Sequence, residues 1–162
     1  MVVIVLISVL AALAYPSLRK RIEEAHGREG VGQMRAIAGA QERFRSEHMM
    51  YLDVSPNNTL YPNPSPNTTR YHFRQPAHAD YARWEVLAPE IKVPTPYSFL
   101  SRAGLAGATL PTNPMGLAWP TTLPGGPWYY VYGVGDIDGD GVQQKMLVSS
   151  FEPQVVLTGA GE

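Results

Sequence analysis

The densest chemistry in the chain is the stretch Gly135-Asp-Ile-Asp-Gly-Asp-Gly141. Asp136, Asp138 and Asp140 fall at positions 1, 3 and 5, with Gly141 at position 6, the spacing of an EF-hand loop. Hard oxygen ligands at alternate positions, with glycine where the chain must bend, can wrap a Ca²⁺ ion. The rest of that pattern is missing. Position 12 is Leu147 where an EF-hand needs a bidentate glutamate, Glu152 lies too far on, and no flanking helices are signalled. Two readings stay open. In one, the loop binds Ca²⁺ with help from backbone carbonyls, Gln144 and water. In the other, Asp and Gly are there because they make good turns.

No other constellation of catalytic type is present. The sequence has no GxSxG elbow, no HExxH, no GxxxxGK[ST], and no GxGxxG placed between a strand and a helix. His26, His48, His72 and His78 show no ligand spacing, and the absence of cysteine removes disulfides, thiolate metal sites and cysteine nucleophiles. The aspartates of the loop lack a pocket that would tune them for acid–base work. The expectation is a protein that is not an enzyme.

A second candidate surface is Arg70-Tyr-His-Phe-Arg74, which alternates polar with aromatic residues. Its outward face would be Arg70, His72 and Arg74, near Arg83 and Trp84. Basic and aromatic groups together can neutralise and stack single-stranded nucleic acid, while an ordinary solvated strand face has the same composition. Asn57-Asn58-Thr59 and Asn67-Thr68-Thr69 match the N-glycosylation pattern, which chance composition also produces.

These residues sit in a chain of 162, long enough for one domain with an appendage. Its net charge of −1 names no partner. Fifteen Gly and fifteen Pro imply a loop-rich body. Loops dominate Asp53 to Asn67 and Leu110 to Pro127, where prolines recur too often for helix or sheet. Ala79 to Ala88 reads as a short helix burying Trp84 and Leu87. Strands are expected at 97–101, 128–132, 145–149 and 154–157, and the aspartate loop joins the middle two.

The opening residues are of another kind. Met1 to Leu18 carries no charge, and Val2, Val3, Ile4, Val5, Leu6, Ile7, Val9, Leu10 and Leu13 leave no polar face. As a helix the run would be about 27 Å long, close to a bilayer's hydrocarbon thickness. A signal peptide, a single-span anchor and a fully buried core helix are three ways to use it. A fourth follows from Pro16, which kinks a helix, and from the periodicity that resumes at once. Leu18, Ile22, Ala25, Met34, Ile37, Ala38, Gln41, Phe44 and His48 recur at helical steps. Gly27, Gly30 and Gly32 each cost such a helix about 1 kcal/mol against alanine.

With its proline, MVVIVLISVLAALAYP resembles the N-terminal helix of type IV pilins and the secretion-system pseudopilins, and the likeness covers about the first fifty residues. In that family the aromatic N-terminus that becomes methylated, and a glutamate, fall ahead of the position of Met1. The W-x-x-L segment (Trp84, Leu87) paired with the GDIDGDG hairpin resembles one bacterial subgroup of pilins. The resemblance implies an α+β fold: a long N-terminal helix, apolar then amphipathic, packed on a small antiparallel sheet. Residues 1–18 would be the transmembrane and filament-core half, 19–50 the amphipathic half, and 51–162 the head. Val2 to Leu13 and Pro16 would then hold the chain in the bacterial inner membrane until assembly machinery moves it into an extracellular filament of identical subunits. Small residues such as Ser8, Ala11, Ala12 and Ala14 would let neighbouring helices approach. A minor pilin, a pseudopilin, and a DNA-uptake pseudopilin using Arg70, His72, Arg74 and Arg83 are the alternatives. Some pseudopilins bind calcium in C-terminal loops, which bears on Asp136, Asp138 and Asp140.

Overall fold

A computed structural model describes residues 27–121 and 125–159. Helix α1 occupies residues 27–48. Its buried positions, Gly30, Gln33, Met34, Ile37, Ala40 and Gln41, recur at steps of three and four, as one face of an α-helix must. Helix α2, Tyr81–Leu87, is a short helix of about two turns that buries Trp84 and Leu87. It ends at Ala88, which takes a left-handed conformation. There the Arg43 guanidinium, reaching from α1, donates to the carbonyls of Leu87 and Ala88 at 3.1 and 2.9 Å. Those are orphan carbonyls of a helix end, and a cation suits them.

Four strands follow: β1, Ser98–Gly104; β2, Trp128–Gly135; β3, Gln144–Ser149; and β4, Val156–Thr158. They form one antiparallel sheet in sequence order. Leu100 pairs with Tyr132, and Tyr132 with Leu147, so the β1–β2–β3 register is continuous. Alternation then sorts the side chains onto two faces. Phe99, Tyr129, Val131, Met146 and Val148 face α1 and share one core with Met34, Ile37 and Ala40. Leu100, Trp128, Tyr130, Tyr132, Val134 and Leu147 form a second core on the opposite face.

The cover on that second face comes from the proline-rich connection after β1. Leu110, Met115 and Trp119 pack on it. The Trp119 and Trp128 indoles donate to the carbonyls of Pro111 and Ala108 at 2.7 and 3.0 Å. Residues that the sequence marks as loop therefore act as a layer. This is why all eight residues of β2 are buried.

The expected α+β fold, built on one long N-terminal helix packed on the sheet, is corrected. Among the described residues there are two short helices, of which α1 is the longer, and the four-stranded sheet. Residues 1–18, with Val2, Val3, Ile4, Val5, Leu6, Ile7, Val9, Leu10, Leu13 and Pro16, lie outside the described residues. The sheet is also too small to pack a helix fifty residues long. Four strands about 4.8 Å apart offer one side of a surface that buries α1 only from Gly30 to Gln41. Beyond Phe44 the helix is exposed.

Two buried glutamines fix α1 on that surface. Gln33 Oε1 accepts the Thr95 hydroxyl at 2.6 Å, and Thr95 Oγ1 accepts the Tyr97 amide at 3.0 Å. Gln41 is fully buried. Its Nε2 donates to the Leu52 carbonyl and to Ser101 Oγ, both at 2.8 Å, and its Oε1 accepts the Leu52 amide at 3.0 Å. Replacing Gln41 by leucine should lower unfolding free energy by about 2–4 kcal/mol, because it strands both polar groups of Leu52. Urea denaturation measures this, and a change within about 0.5 kcal/mol, as for an ordinary surface site, would contradict it.

Candidate functional site

Because Gly135 pairs with Gln144, the eight residues between them form the loop closing the β2–β3 hairpin. Three Asx-type hydrogen bonds shape it. Asp136 Oδ1 accepts the Gly139 amide at 2.9 Å, Asp138 Oδ1 the Asp140 amide at 3.3 Å, and Asp140 Oδ1 the Val142 amide at 2.7 Å. Gly139 and Gly141 take positive φ, 76° and 86°, which the tight reversals require. Asp136 is half-buried; Asp138 and Asp140 are exposed.

One carboxylate oxygen from each aspartate can be chosen so that all three lie within 4.8 Å of one another. Such a group of hard oxygens could hold a divalent cation. The remaining EF-hand positions are committed elsewhere. Leu147 is buried in β3. Gln144 accepts the hydroxyl of Tyr97 through Oε1, and Glu152 Oε1 accepts the Gln154 amide at 3.4 Å. Any further ligands would come from the loop's own backbone and from water. The loop also has a neighbour the sequence does not reveal: a Cβ at Gly139 would lie 3.0 Å from the Thr68 methyl group.

The three arginines of the second candidate surface are each paired with an acidic residue. Arg70 forms a two-pronged contact with Glu29, 2.8 Å to Oε1 and 2.9 Å to Oε2, and donates to the Pro94 carbonyl at 3.0 Å. The hydrogen bond to Glu29 raises the pKa of its guanidinium above the usual range. Arg74 donates to the Tyr81 hydroxyl at 2.8 Å and to Glu85 at 3.3 Å. Arg83 lies 3.7 Å from the buried Asp80 carboxylate. His72 is exposed. The 70–74 segment alternates exposed and half-buried residues and makes a single bridge, Tyr71 to Thr95. Phe73 is turned inward, into an aromatic cluster with Tyr61 and Trp84 at centroid distances of 5.0 and 5.3 Å.

That cluster borders a cleft of about 290 Å³ lined by Tyr61, Phe73, Arg74, Trp84, Glu85 and Ile91, among others. Sequence reading places Trp84 in a core; the cleft needs Pro89, Ile91 and the Arg74–Glu85 pair, which only the tertiary fold assembles. Among the described residues no helix is long and apolar enough to cross a membrane. No protein-family model matches the chain, and neither a curated protein nor a solved structure does so.

If the aspartate loop takes calcium, saturating Ca²⁺ should raise the melting temperature. At one hundred times Kd the linkage is about 2.7 kcal/mol, or roughly 5–10 °C for a domain of this size. Asp138→Asn should shrink the shift. An unchanged melting temperature at millimolar Ca²⁺ would remove the site.

Proposed function

We propose that this chain is the structural subunit of a type IV pilus-like filament, held in the bacterial inner membrane before assembly and extracellular afterwards. One observation carries the reading. The first eighteen residues hold no charge and no polar face, carry Pro16 near their end, and are followed by Arg19, Lys20 and Arg21. Such a run suits lipid first and copies of itself later, since both environments reject an unpaired charge. The small residues Ser8, Ala11, Ala12 and Ala14 suit close packing between neighbours. Its partners are further copies of this chain and the machinery that assembles them.

Two features of the described body are compatible with a structural role. Most of its aromatic side chains pack into the two cores. The arginines that a nucleic-acid reading would use, Arg70, Arg74 and Arg83, are each spent on an acidic neighbour. The proposal therefore favours the filament over DNA uptake, and it treats Ca²⁺ at Asp136, Asp138 and Asp140 as a local brace for the hairpin.

Electron microscopy of cells producing the full chain tests it. Filaments labelled by an antibody to residues 51–162 are expected. Val5→Lys should abolish them, because a lysine in a membrane segment costs up to about 2.5–3.5 kcal/mol. Unlabelled cells, filaments unaffected by Val5→Lys, or a secreted monomer cut after the apolar run would each refute the reading.

A further inference from the structure

His78 is held by both ring nitrogens. Its Nδ1 accepts the Asp80 backbone amide at 3.1 Å, and its Nε2 lies 2.9 Å from the Leu60 carbonyl. An amide can only donate and a carbonyl can only accept, so Nδ1 must be bare and Nε2 must carry the hydrogen. The ring is therefore the neutral Nε2–H tautomer. It ties the residue before α2 to the segment carrying Tyr61, which meets it edge-on at 5.0 Å and 90°.

Beside this bond stands an anomaly. Asp80 is 1% exposed, and its Oδ2 is buried without a hydrogen-bond partner. Its carboxylate does not cap α2. Covalent geometry keeps Oδ2 within one side chain's length of the very amide that Nδ1 accepts. A buried carboxylate oxygen without a donor is costly.

We infer that His78 and Asp80 form a two-position proton latch on the start of α2. With the ring neutral, Nδ1 holds the Asp80 amide and the turn is closed. When a proton from solvent binds Nδ1, the ring can no longer accept. It turns its new N–H to Asp80 Oδ2, and the Asp80 amide is released. Other groups around the ring do not compete. Tyr61 stays a neutral phenol because burial pushes its pKa up. Arg83 is the counter-charge of Asp80 at 3.7 Å, and Arg74 and Glu85 pair with one another. Since Tyr61 and Trp84 also line the cleft beside α2, release loosens one wall of that cleft in acid. The latch is independent of whether the chain builds filaments.

Nuclear magnetic resonance on the full chain in detergent tests it. At neutral pH the His78 ring nitrogens should show the Nε2–H tautomer. From about pH 7.5 to about pH 5, protection of the Asp80 amide from exchange should fall at least about tenfold beyond the intrinsic effect. His78→Asn offers an acceptor that does not titrate, so its Asp80 amide should stay equally protected throughout. An Nδ1–H tautomer, constant protection in the native chain, or an acid response surviving in His78→Asn would overturn the latch.

Discussion

The ring of Tyr97 lies between Gly30 of α1 and Gly135 of β2, so close that neither position has room for a methyl group. A Cβ at Gly30 would be 2.8 Å from the ring and 2.7 Å from the Met146 methyl; one at Gly135 would be 2.6 Å from the ring. This contact sets the distance between helix and sheet. Desolvation in that space raises the Tyr97 pKa far above its ordinary value, and its hydroxyl is satisfied by Gln144. Gln33 and Gln41 then fix where along the sheet α1 lies. Tight packing alone tolerates sliding between apolar faces; buried polar partners with single solutions do not.

The rest of the body is arranged around that seam. Gln41 holds Leu52, whose segment runs on to lay Val54 and Ser55 against Ser101 of β1. The same segment continues to Tyr61, which pairs with Phe99 and stacks on Trp84 at 5.2 Å. Arg43, farther along α1, reaches the end of α2. Thus α2, the aromatic cluster and the His78 turn are all referred back to one helix face. On the sheet's far side, Trp119 and the residues around it close the second core without any regular structure.

Much of this was legible in the residues. Met34, Ile37 and Gln41 stand at helical spacing, and the strand runs around Trp128 and Lys145 and the short helix at Trp84 follow from local pattern. What pattern cannot show is which partner a residue meets. Gly30 reads as a weak point in a helix, yet its value lies in Tyr97, sixty-seven positions away. Leu110 to Pro127 reads as loop, and its described residues hold no helix or strand, while its service as a cover depends on Tyr130 and Phe151. The aspartate loop was visible as a motif because the hydrogen bonds that shape it are local. The pairing of Arg70 with Glu29 was not, because those residues are distant in sequence.

Helix-to-sheet distance is set at Gly30, and one pair of substitutions separates that constraint from helix propensity. Gly30 and Gly32 lie in the same helix, but a Cβ at Gly32 would meet nothing within 4 Å. By helix propensity alone, alanine at either position gains about 1 kcal/mol. Denaturant unfolding should show Gly32→Ala more stable by about that amount, and Gly30→Ala less stable by about 1–3 kcal/mol through overpacking. Equal stabilisation by both would contradict it.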